Sequence, residues 1–167
     1  MFKSRSVMRR AALLPVGAVV LMLGNGAAFG ATSPPCKHVH GRLIEQVQFA
    51  GSPCAGSFFC VRGRATGSLR GDFVSTVTSV TPSQDAAVTS VAFLTSDFVL
   101  NTRRGQLTIK EAIAYNTAPG GGELGDVGTV VAGTGDWQGA TGRLVISGKL
   151  NFVDPSEVTY QGEVCTE

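Results

Sequence analysis

Charge is scarce in this 167-residue sequence: 16% of its residues are Asp, Glu, Lys or Arg, against 43% that are hydrophobic. Intrinsic disorder needs low hydrophobicity and high net charge, so that class is excluded, as is a charge-flanked coiled coil. The 22 glycines follow no three-residue period, which excludes collagen. Histidine is rarer still, with only His38 and His40. They stand two apart, on one face of an extended chain, but no third ligand is placed beside them, so no metal is expected. There is no Gly-x-Ser-x-Gly elbow to build a serine hydrolase around. Without a Cys-x-x-Cys, neither a zinc ribbon nor thioredoxin-like redox chemistry is supported. No Asn-x-Ser/Thr acceptor for N-glycosylation occurs. From Gly41 onward no convincing run keeps a helical period.

What is present begins with an address. Lys3, Arg5, Arg9 and Arg10 form a basic head without acids, Ala11 to Leu23 an apolar run, and Ala28-Phe29-Gly30-Ala31 a small-x-small site. This pattern predicts a secretory signal peptide over residues 1–30, cleaved after Gly30 or alternatively after Ala28. An uncleaved membrane anchor is the competing reading, and Pro15, the glycines and the missing positive stop-transfer flank weigh against it. Beyond residue 30 stand ten basic and twelve acidic residues, so the net charge turns from +2 to −2. The remaining basic residues are scattered, which removes nucleic acid as a partner. No membrane association is expected once the leader is gone, and the expected location is extracellular or periplasmic.

Cys36, Cys54, Cys60 and Cys165 all lie in this exported part. Four cysteines allow three pairings. Cys54–Cys60 reads as a local loop staple, and Cys36–Cys165 would join the two ends if the first and last strands are neighbours.

The body reads as all-β. Strand candidates are 41–50, 58–70, 72–80, 88–100, 106–116, 124–132, 142–152 and 157–165, parted by Gly, Pro, Asn and Asp. Seven or eight short strands with regular turns predict a sandwich or an up-and-down barrel. Alternation sorts their faces, since successive residues point to opposite sides. In 142–152 Leu144, Ile146, Gly148, Leu150 and Phe152 oppose Arg143, Ser147, Lys149 and Asn151. In 157–165 Val158, Tyr160, Gly162 and Val164 oppose Glu157, Thr159, Gln161 and Glu163.

Two strands break the pattern. Glu45 falls in the apolar set Leu43, Val47, Phe49, and Glu111 falls among Leu107, Ile109, Ile113, Tyr115. A carboxyl on a core face is costly unless paired or neutralised, and inside a cavity it can act as general acid or base. Glu45 and Glu111 are therefore the candidate catalytic residues. The alternative is that each meets an arginine or a backbone donor, or sits where the barrel mouth is open to water.

The most distinctive stretch is Gly133-Thr134-Gly135-Asp136-Trp137-Gln138-Gly139-Ala140-Thr141-Gly142-Arg143-Leu144. Its glycine spacing misses the dinucleotide fingerprint, and no Lys-Ser/Thr follows, so it is not a phosphate cradle. It resembles the Gly-Thr-Gly-x-aromatic-x-x-Ala-x-Gly segment of the dirigent and allene oxide cyclase barrel proteins. Residue-level agreement runs over about 129–163, including Gly128 to Ala132 before the segment and Tyr160-Gln161-Gly162-Glu163 after it. The resemblance implies an antiparallel eight-stranded, calycin-like β-barrel over 31–167. It also implies a small hydrophobic molecule held in the barrel, no cofactor, and a possible homo-oligomer. Family members carry an acidic residue on the first strand facing the cavity, and Glu45 stands where that residue is expected. The first strand lacks the aromatic-rich dirigent sequence, and the four cysteines lie outside the family pattern.

The expected ligand-binding wall comprises Leu43, Val47, Phe49, Leu107, Ile109, Ile113, Tyr115, Leu144, Ile146 and Tyr160. Three functions follow: a binding module, a cofactor-free isomerase-type cyclase or dirigent-like steering protein, and a structural protein with a filled barrel. A void of several hundred cubic ångströms, the usual pocket size, would favour the first two.

Overall fold

The computed structural model describes residues 35–49, 54, 57, 59–117, 119 and 121–166. The leader expected over 1–30 lies outside the described residues. Eight strands follow one another: β1 (Cys36–Phe49), β2 (Phe59–Gly67), β3 (Gly71–Pro82), β4 (Val91–Thr102), β5 (Gly105–Asn116), β6 (Gly121–Gly133), β7 (Thr141–Asn151) and β8 (Ser156–Cys165). Each pairs antiparallel with the next, and β8 pairs with β1, so the sheet closes into a barrel and the sandwich alternative falls. Among the described residues no helix is long and apolar enough to cross a membrane.

Alternation explains the core. Odd-numbered residues of β1, β2, β3 and β5 face inward, as do even-numbered residues of β4, β6, β7 and β8. Leu43, Ala65, Phe73, Phe98, Ile109, Leu144 and Val158 are accordingly all buried. Two irregularities adjust the register, one between Val77 and Ser79 on β3 and one where β5 meets β6 at Thr108 and Ile109. The second skips Val131, so Val130 is buried while its neighbour is exposed. Bulges of this kind bend a strand and increase its twist, which helps a sheet to close.

The two ends of the barrel differ. At one end the connections 68–70 and 103–104 are tight, and 134–140 folds back over the β4–β5 turn. There Asp136 N–H donates to Arg104 O at 2.7 Å and Thr134 N–H donates to Gln106 O at 2.9 Å. Gly135 makes this close approach possible: its φ is +61°, and a Cβ would lie 2.5 Å from Arg104 O. Trp137 is thereby buried, with Nε1 donating to Thr102 Oγ1 at 3.0 Å and the Arg104 guanidinium 4.4 Å above its ring. Arg104, an exposed residue of the β4–β5 turn, stacks on Trp137 and bonds to Asp136. Tyr160 seals the same end, its hydroxyl accepting from Leu69 N–H at 2.8 Å and donating to Thr66 O at 2.8 Å. The other end carries the connections after β1, β3, β5 and β7, of which those after β1 and β3 are the longest in the barrel.

Both expected disulfides are present. Cys36–Cys165 joins directly opposed residues of β1 and β8, and Cys54–Cys60 ties the β1–β2 connection to the start of β2. His38 and His40 lie within β1 on the outer surface, and His38 sits 3.5 Å from Glu163.

Candidate functional site

The half of the barrel near the tight turns is packed. A gap there, bordered by Leu69, Leu100, Ile109, Leu144 and Tyr160, measures ≈ 10 Å³, room for about one water. The half near the long connections is not filled. A cavity there leaves ≈ 60 Å³ for the centres of water-sized spheres, or ≈ 580 Å³ of empty space when counted out through the mouth into solvent. The first figure corresponds to about four waters. It fits a narrow molecule and falls below the several hundred cubic ångströms of a roomy ligand pocket.

Most of the cavity wall is apolar, with Leu43, Leu94, Ile113, Leu124, Ile146 and Leu150 among it. Aromatic side chains form its mouth. Phe49 packs on Phe59 and Phe152 with ring centroids 6.3 and 5.9 Å apart, and Phe152 packs on Tyr115 at 5.6 Å. Deeper in, Phe73 and Phe98 stack at 4.7 Å.

Five polar side chains interrupt this wall: Glu45, Ser75, Glu111, Tyr115 and Asp126. Pairing across the sheet brings them together. Glu111 on β5 is opposite Ser96 on β4 and Gly128 on β6, and Asp126 is opposite Ile113. Gly128 lets Ile109 and Glu111 pack against bare backbone, since a Cβ there would come within 2.8 Å of Ile109 Cγ2 and 3.9 Å of Glu111 Cγ. Glu45, Glu111 and Asp126 are only 7%, 6% and 4% exposed. Ser75 Oγ donates to Glu111 Oε2 at 2.7 Å, and Ser96 Oγ donates to the same oxygen. Asp126 hydrogen-bonds the Glu111 carboxyl as well.

Burial raises all three carboxyls. Glu45 is pushed up to about 8 by desolvation and then by the neighbouring Glu111. Asp126 rises to about 9 through desolvation, then through the nearby Glu111 charge and its hydrogen bond to Glu111. Glu111 is also raised by desolvation, but hydrogen bonds from Ser96, Ser75 and Asp126 oppose the rise. Three hydrogen bonds converge on the Glu111 carboxyl and favour its charged form, against the desolvation that favours the neutral one. Two buried polar atoms lining the cavity lack a hydrogen bond of proper geometry. They are Asp126 Oδ1 and Tyr115 Oη, the latter facing the Gly122 backbone.

The expected site residues divide accordingly. Glu45, Glu111, Leu43, Ile113, Tyr115 and Ile146 border the open cavity. Ile109, Leu144 and Tyr160 border only the small gap below it. Val47 and Leu107 are buried, yet neither borders either space. Phe49 departs from the expectation of an interior wall: as the last residue of β1 it emerges onto the rim and is 61% exposed. The alternative for the two glutamates, an arginine partner, also falls, because none of the four ion pairs among the described residues involves them. Asp126, Ser75 and Ser96 were not expected. The signal that finds Asp126 is hairpin register: directly paired residues share a face, so an inward Ile113 carries Asp126 inward.

Among the described residues no group of three His, Cys, Asp or Glu is arranged to hold a metal ion. Comparison with protein-family models, with curated proteins and with solved structures returned no match to this chain.

Proposed function

We propose that the barrel binds a small, narrow, largely apolar molecule in its open half, with the polar end of that molecule against Glu45, Glu111 and Asp126. One observation carries this reading. The cavity is apolar, is closed below by packed side chains, and yet contains two buried polar atoms, Asp126 Oδ1 and Tyr115 Oη, that make no hydrogen bond of good geometry within the protein. Buried polar groups are almost always satisfied, and at functional sites the partner is often a ligand. The resemblance of 129–163 to the dirigent and allene oxide cyclase barrels supports the same reading, as does export under the leader at 1–30.

Glu45 favours a second reading within the same site. A carboxyl with a pKa of about 8 keeps its proton at neutral pH and is a competent general acid in a water-poor cavity. The protein is then a cofactor-free isomerase or cyclase, in which the narrow walls hold a reactive intermediate in one conformation.

Native mass spectrometry of the protein purified from its source is the test. A co-purified apolar mass is expected. Absence of any such mass, together with no displaceable binding of the uncharged dye Nile red, overturns the binding reading and leaves a structural barrel. Once a substrate is identified, Glu45→Gln is expected to lower kcat by roughly 10²-fold or more. Undiminished turnover rejects the cyclase reading for Glu45.

A further inference from the structure

We infer that the molecule bound in the open half is an amine, an organic ammonium on a narrow apolar body. The inference rests on the binding reading above and narrows it to one chemical class.

Uncompensated acidity is the first support. Glu45, Glu111 and Asp126 converge from β1, β5 and β6, all buried, and among the described residues no Lys, Arg or His borders the cavity. All four ion pairs among the described residues involve exposed side chains of other acids. A buried carboxyl either keeps its proton or is matched by a cation; a cation drawn into this cavity lets the cluster give up protons that burial otherwise makes it hold, and no side chain bordering the cavity among the described residues supplies one.

The second support is the direction of the unmet hydrogen bond. Ser75 and Ser96 both spend their hydroxyl protons on Glu111 Oε2, and Asp126 hydrogen-bonds the same carboxyl. Asp126 Oδ1 is left as a buried acceptor with no hydrogen bond of good geometry, although the Ala112 N–H approaches the same carboxyl. An ammonium brings up to three N–H donors and a positive charge to this place, whereas a carboxylate ligand adds a further negative charge. Aromatic faces complete the environment, since Phe73, Phe98 and Tyr115 line the same cavity and ring faces attract cations. An inorganic ion fits less well, because the donor set required for one is absent among the described residues.

The test is calorimetric titration of the full exported domain with n-hexylamine, 1-hexanol, 2-heptanone and hexanoate at neutral pH. The amine is expected to bind at least about tenfold more tightly than the alcohol or the ketone, with hexanoate weakest. In Glu111→Gln, with folding checked by near-UV circular dichroism, the ratio of amine to alcohol affinity is expected to fall at least fivefold. Asp126→Asn provides the same comparison should the first variant fail to fold. Alcohol or ketone binding as tight as the amine overturns the amine class while leaving the pocket reading intact. A full amine preference in both variants overturns the role given to the carboxyl cluster. Binding by no member of the series overturns both the amine inference and the pocket reading.

Discussion

The barrel should be more stable in mild acid than at pH 8, and Glu45 sets the size of the effect. In the unfolded chain its carboxyl has the ordinary value of 4.5, and in the fold it stands at about 8. Below pH 4.5 both states are protonated and the full stability is present. Above that, the unfolded chain ionises while the folded one stays neutral, so stability falls until the folded pKa is passed. The slope for one such group is about 1.4 kcal/mol per pH unit. From pH 5 to pH 8 the loss approaches about 4 kcal/mol, a large part of a typical 5–15 kcal/mol. Asp126, raised from 3.8 to about 9, acts in the same direction, so the measured slope should exceed that of one proton. Urea unfolding at constant ionic strength, followed by the fluorescence of the single tryptophan, buried Trp137, measures it. Glu45→Gln, which cannot ionise, should reduce the slope by about one proton. A wild-type stability that is flat or rises over pH 5–8, or a Glu45→Gln slope equal to wild type, would refute the reasoning.

Two further outcomes concern the scaffold. Replacing Cys36 and Cys165 by serine releases a loop spanning 129 positions and is expected to cost about 5 kcal/mol, against about 2 kcal/mol for the six-position Cys54–Cys60 staple. Urea midpoints of the two double variants decide it, and an equal or reversed order contradicts the chain-entropy account. Tyr160→Phe leaves the buried Leu69 N–H without its acceptor, and a loss of about 1–3 kcal/mol is expected, with faster hydrogen exchange at that amide.

The strands were legible because most of them put a polar residue opposite an apolar one, as in β7 and β8, where the outer face is wet. Glu45 and Glu111 could be read for the same reason, each interrupting an otherwise apolar inward set. Asp126 was hidden by its own strand: Val127 and Val131 are exposed outside β6, so alternation there does not separate the two faces. Ser75 and Ser96 were also invisible, because a serine is at home on either face and β4 is largely apolar on both. Only pairing across the sheet shows them directed at Glu111. Phe49 shows the opposite limit. Parity puts it on the inner face, but parity says nothing of where a strand leaves the barrel, and at Phe49 it already has.

The seam between β1 and β8 has a bearing on how the chain folds. Seven of the eight pairings join strands that are consecutive along the chain, so they can form as hairpins one after another. The eighth brings together residues as far apart as Cys36 and Cys165 and must wait for the rest of the sheet to curl round. Oxidation of these two thiols to each other thus reports the last step of assembly. Closure of this seam also removes the unpaired edges that a half-wound barrel would offer to other chains.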